Sequence, residues 1–105
     1  MKSIINGKRY DTDKAIWVGD ASSGHGHNDF KWWVATLYKT PRAGRFFLSG
    51  DGGPMTLFKR SHPDGGWGYG SGIIPMTDSD ALAWAEQELG AETVEEHFAD
   101  LIEDA

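Results

Sequence analysis

The sequence predicts an α+β fold, a bent antiparallel β-sheet of about five or six strands followed by two C-terminal acidic helices. Three observations carry that prediction. Residues 30–53 read as a long aromatic hairpin, residues 77–105 combine capping residues with helical apolar spacing, and the acids concentrate in that same helical stretch. A length of 105 residues suits one domain with a modest core, with a β-rich portion over 1–76 and an acidic helical portion over 77–105.

Taken in order, Asn6-Gly7 is a strong two-residue hairpin signal, because a type I′ turn needs positive φ at both positions; it predicts a small hairpin over residues 3–10. Asp11-Thr12-Asp13 either caps a short helical turn or leads into a strand over 15–18, and we read the strand. Residues 19–28 are a loop by composition. In the central hairpin, Pro41-Arg42-Ala43-Gly44 connects two runs rich in aromatic and β-branched residues. Alternation puts Trp33, Ala35 and Leu37 on one face and Trp32, Val34, Thr36 and Tyr38 on the other. Phe46 and Leu48 likewise oppose Arg45, Phe47 and Ser49. Both faces are apolar enough to need cover.

Residues 51–54 then turn the chain into a third long strand over 55–60. Five glycines among residues 61–72 predict a mobile loop presenting Trp67 and Tyr69. Residues 73–76 form a short strand, placed at a sheet edge by Pro75, which has no N–H for a ladder. Thr77 is an N-cap with Asp78 and Asp80 behind it. The first helix, over 78–89, sets Ala81, Leu82, Ala85 and Leu89 on one face beside Trp84, with Gly90 as its left-handed stop. The second, over 92–102, sets Val94, Phe98, Leu101 and Ile102 on one face.

The formal net charge is -6, and its distribution says more than its total. Residues 76–105 hold ten acids and no Lys or Arg; the other 75 residues carry ten basic against six acidic residues, a formal +4. The chain is thus a charge dipole. No cysteine is present, which excludes a disulfide framework, a thiolate metal site and a cysteine nucleophile. No apolar run reaches the roughly 18 residues of a membrane span, and the N-terminus lacks a signal-peptide pattern, so the expected location is cytoplasmic.

Candidate chemistry is sparse. His25-Gly26-His27-Asn28-Asp29 is the only cluster of metal-ligand types, and it supports an alternative reading as a metal-dependent hydrolase or nuclease through His25, His27 and Asp29. Ser49-Gly50-Asp51-Gly52-Gly53 lacks the strand–turn–helix setting of a nucleophile elbow, and no Gly-Lys-Ser/Thr marks a phosphate loop. No catalytic residue, metal or cofactor is assigned, and the expected protein is not an enzyme.

Two candidate contact surfaces remain. Glu86, Glu88, Glu92, Glu95, Glu96, Asp100 and Glu103 form an acidic set, and carboxylates about one helical turn (~5.4 Å) apart can imitate a run of phosphates. Trp67 and Tyr69 either cover the sheet or, if exposed, act as aromatic anchors for a partner. The net acidity argues against direct nucleic-acid binding, although Lys8, Arg9, Lys59 and Arg60 in the basic portion offer that second alternative. An exposed edge strand leaves monomer and homodimer both open.

The motifs Ile-Asn-Gly-Lys-Arg-Tyr-Asp-Thr (5–12), Leu-Tyr-Lys-Thr (37–40), Gly-Arg-Phe-Phe-Leu-Ser-Gly-Asp-Gly-Gly-Pro-Met (44–55) and Ile-Ile-Pro-Met-Thr with Ala-Leu-Ala-Trp-Ala-Glu (73–86) resemble a family of small bacterial proteins carried by phages and mobile elements. That resemblance implies an accessory protein of the anti-CRISPR kind, a non-enzymatic inhibitor whose partner is a host protein such as a CRISPR effector subunit. It brings no catalytic residues with it.

Overall fold

The computed structural model describes residues 1–105. Its eight strands, β1 (Lys2–Ile5), β2 (Lys8–Asp11), β3 (Ile16–Ser22), β4 (Trp33–Lys39), β5 (Phe46–Gly52), β6 (Arg60–Ser61), β7 (Trp67–Gly68) and β8 (Gly70–Met76), precede helices α1 (Asp78–Glu88) and α2 (Ala91–Phe98). All ladders are antiparallel. The main sheet has the order β3-β4-β5-β8, and β1-β2 and β6-β7 are separate two-stranded ribbons. No helix is long and apolar enough to cross a membrane.

The turn chemistry read from the sequence is present. Asn6 and Gly7 adopt φ of 52° and 76°, and Gly44 closes the β4–β5 connection at φ 66°. In that connection Thr40 and Arg45 are joined by a backbone bond of 2.8 Å, and the Thr40 hydroxyl accepts the Arg45 N–H at 2.9 Å. Pro75 lies on β8, which is an edge strand of the main sheet.

Both faces of the sheet are covered, each through the side chains that alternation assigns to it. On one face Val18, Ala35, Leu37, Phe46 and Leu48 meet Ala81 and Ala85 of α1 and Val94 and Phe98 of α2. The Phe46 and Phe98 rings stack with centroids 4.6 Å apart and planes 9° from parallel. On the other face Phe47 and Ile73 meet Tyr10, with Ile5, Ala15 and Tyr38 around them. The β1–β2 ribbon therefore covers one end of that second face, with Tyr10 edge-on to Phe47 at 5.3 Å. The exposed remainder is polar, formed by Asp20, Ser22, Thr36, Ser49 and Asp51 around a shallow depression.

A β-bulge between Trp17 and Gly19 sets the faces of β3. It buries Val18 and leaves Trp17 and Asp20 on the same side, where the Trp17 indole Nε1 donates to Asp20 Oδ1 at 3.2 Å. Thr36 Oγ1 donates to the same oxygen at 2.6 Å. The strand runs through Ser22, beyond the loop boundary read from composition.

Four expectations are corrected. Residues 55–60 are not a long strand: the Thr56 hydroxyl donates to the Gly53 carbonyl at 2.8 Å and accepts the Phe58 N–H at 3.2 Å. Local bonding of this kind competes with a ladder, and it drops the Phe58 ring into the core at 6% exposure while Met55 and Leu57 stay outside. The glycine-rich stretch 61–72 is more regular than expected, because β8 begins at Gly70 and pairs glycine with glycine (Gly50 with Gly72, Gly52 with Gly70). That pairing leaves room beside the sheet. A Cβ on Gly50 would stand 2.9 Å from Phe58 Cζ and from Ala35 Cα, so this glycine is what admits the Phe58 ring.

At the helices, Thr77 caps α1 by accepting the Asp80 N–H at 3.1 Å. Gly90 is not a left-handed stop. Its φ and ψ are -77° and 158°, and its carbonyl accepts the Val94 N–H, so it serves as the N-cap residue of α2. The second helix ends at Phe98 and tightens into a 3-10 turn over Ala99–Leu101. Leu101 and Ile102 leave the apolar face in consequence, each 41% exposed.

Phe58→Ala should lower unfolding stability by about 3–5 kcal/mol, whereas Leu57→Ala, at an exposed side chain, should change it by about 0.5 kcal/mol or less. Urea denaturation of both variants checks the irregular conformation of this segment, since equal losses contradict it.

Candidate functional site

Of the proposed acidic set, Glu86, Glu92, Glu95, Glu96, Asp100 and Glu103 are exposed and Glu88 is half-buried. The cause is local. Ala81, Ala85, Val94 and Phe98 face the sheet, so helical periodicity turns the intervening carboxylates outward. Their electrostatics are uncompensated: the only side-chain ion pairs are His97 with Glu96 at 3.8 Å and His25 with Asp29 at 3.7 Å, and no Lys or Arg is paired anywhere.

Beside these acids lies an apolar groove. Trp33, Met55, Leu57, Phe58 and Trp84 line it, and Gln87, Glu88 and Lys31 stand among its polar groups. Its volume is about 520 Å³. Trp33 and Trp84 pack at 6.2 Å, while Met55 and Leu57 are 63% and 66% exposed. The groove exists because the Thr56 turn throws these two side chains outward over the start of β4. The strand reading of 55–60 could not have located it, since a regular strand sends the successive residues Leu57 and Phe58 to opposite faces, whereas both line this groove.

Trp67 and Tyr69 are exposed, at 55% and 42%, which decides against their folding back as sheet cover. They do not form one platform with the acidic helices. Tyr69 belongs to a cavity of about 650 Å³ that also involves His27, Trp32, Asp51, Lys59 and Arg60. Within it the His27 ring lies 4.2 Å from Trp32 and 6.3 Å from Tyr69, and the Tyr69 hydroxyl donates to the Asp29 carbonyl at 3.2 Å. Trp67 instead carries the Lys59 ammonium over its ring at 4.5 Å. The His27–Trp32–Tyr69 cluster joins three separate segments and had no periodic signal in the sequence.

The same cluster changes the role of the histidine loop. His25 approaches Asp29, but the His27 ring is turned to Trp32 rather than to that pair. No group of three His, Asp or Glu side chains is disposed to hold a metal ion. Lys8 and Arg9 also separate from Lys59 and Arg60, lining different cavities.

Comparison with protein-family models, with curated proteins and with solved structures finds no match to this chain.

Trp67→Ala should cost only about 0.5–1 kcal/mol in urea denaturation, the worth of an exposed cation–π contact. A loss of several kcal/mol would instead mean that the indole is packed as core.

Proposed function

We propose that this chain is a non-enzymatic binding protein that inhibits a nucleic-acid-binding complex, of the host-defence kind that its motif resemblance implies, by presenting the acidic helical face to a basic groove on the partner. The observation that carries this reading is the state of the ten carboxylates in residues 76–105: all but Glu88 are exposed, and none is paired with Lys or Arg. An ordinary solvated helix surface intersperses both signs of charge. Here the outer surface has a single sign, so it repels nucleic acid and attracts the same basic surfaces that nucleic acid does.

The groove adjoining Glu88 supports a protein partner over a purely electrostatic one. Apolar and aromatic groups surrounded by charge are the usual composition of a binding hot spot with its polar rim. The division of labour follows: carboxylates of α1 and α2 speed encounter, and insertion of a partner side chain between Met55, Leu57 and Trp84 slows release. Trp67 and Tyr69 form a second, separate contact surface.

The test is capture of partners from a lysate containing CRISPR effector complexes and DNA-binding proteins, followed by a salt series and an assay of the partner's nucleic-acid binding. The expected partner elutes with rising salt and loses nucleic-acid binding in the complex. Changing Glu92, Glu95 and Glu96 together to Lys should weaken inhibition by about 100-fold or more, since like-charge contacts cost several kcal/mol. Undiminished inhibition by that variant contradicts the proposal.

A further inference from the structure

The end of the molecule built by the β1–β2 ribbon and the β4–β5 turn holds a second charged surface, of the opposite sign. Lys8, Arg9, Lys14, Arg42 and Arg45 line one cavity of about 640 Å³, together with Tyr10 and Thr40. Half of the ten basic residues of a chain with net charge -6 are thus gathered at one place. They come from two segments, residues 8–14 and 42–45, that only the fold brings together. The one carboxylate in the lining is Asp11. It makes no ion pair, and its Oδ1 accepts the Asp13 N–H at 3.0 Å.

The cations are exposed, but the backbone that carries them is well anchored. Tyr10, next to Arg9, is 5% exposed and packs on Phe47. Arg42 lies within, and Arg45 ends, a turn closed by the two Thr40–Arg45 bonds, and the Lys14 N–H meets the Asp11 carbonyl at 3.3 Å. Mutual repulsion among five like charges is relieved by a bound anion. Planar guanidinium groups match the oxygens of a phosphate in a forked geometry. The cavity is larger than a single phosphate requires and lies within the usual range for small-molecule sites.

We propose that this cavity is a binding site for the phosphate esters of nucleotides, either free or in a single strand, with Arg42 and Arg45 as the principal phosphate ligands and Lys8, Arg9 and Lys14 around them. The net negative charge of the chain does not oppose this, because within a Debye length of roughly 8 Å at physiological salt the nearest charges dominate, and the lining holds five cations against the single carboxylate of Asp11. The turn that carries Arg42 and Arg45 also approaches the acidic layer, since Lys39 and Gly44 share a cavity with Asp78, Glu96 and Asp100.

Calorimetric titration of the full chain with ATP and with a short oligothymidylate, at about 50 mM salt where phosphate contacts are strongest, tests the proposal. At least one probe should bind. Arg42→Ala with Arg45→Ala should weaken it by about tenfold or more, as should Lys14→Ala with Arg42→Ala, with circular dichroism unchanged. Lys59→Ala with Arg60→Ala, in the other cavity, should change it less than about twofold. Binding of ATP identifies a nucleotide site, and binding of the oligonucleotide alone identifies a strand site. No binding of either probe, or equal loss in the Lys59/Arg60 variant, overturns the proposal. Changing Glu92 and Glu95 to Lys, with Glu96 beside Gly44 left in place, discriminates this site from the proposed inhibitory surface, because it should weaken inhibition and leave phosphate binding intact.

Discussion

Phe46 and Phe47 hold the two covering layers of the molecule from consecutive positions of one strand. The pleat sends them to opposite faces. Phe46 stacks on Phe98 and fastens α2, while Phe47 receives Tyr10 and fastens the β1–β2 ribbon. Each ring belongs to a different buried cluster, so a one-residue slip of β5 would exchange their faces and unseat both layers. The partition of charge depends on the same dipeptide. The layer attached through Phe98 carries the acids, and the layer attached through Tyr10 carries Lys8 and Arg9.

This arrangement explains how a net acidic chain of 105 residues presents two surfaces of opposite sign without internal neutralisation. Lys and Arg are absent from every ion pair; Lys2, Lys8 and Arg9 lie on the β1–β2 ribbon, across the sheet from the helical segment that carries most of the acids. Exposed pairs would have contributed little to stability in any case. Leaving the charges unpaired costs little and keeps both fields available for recognition at a distance. Stability rests on the aromatic clusters, and electrostatics is free to serve binding.

The parts of the fold legible in the sequence are those specified by local chemistry. Asn6-Gly7, the 41–44 turn, the Pro75 edge strand and the Thr77 cap each depend on a few neighbouring residues, and all four are present. The period-2 pattern also set Leu37 opposite Tyr38 on β4 and Phe46 opposite Phe47 on β5, as the two buried clusters have them, while which faces of the two strands coincide came only with their register. What was not legible depends on contacts distant in sequence. Thr56 replaces a ladder by bonding its own turn, and Phe58 finds a place only because Gly50 lacks a Cβ. The glycines of residues 61–72 read as freedom, yet Gly70 and Gly72 meet glycines of β5 in a regular ladder. The candidate surfaces divide in the same way. The exposed carboxylates followed from helical periodicity, whereas the apolar groove, the His27–Trp32–Tyr69 cluster and the five-cation cavity exist only after distant segments meet.

The central claim is that the acidic helical layer is the surface the inhibited partner occupies. Hydrogen–deuterium exchange of the chain, free and in its captured complex, tests it most directly, because exchange reports protection segment by segment. The expected result is new protection in residues 78–104 and in residues 55–58 beside the groove, with residues 8–14 and 40–45 unchanged. Protection confined to the basic end, with the helices exchanging as in the free chain, would contradict it.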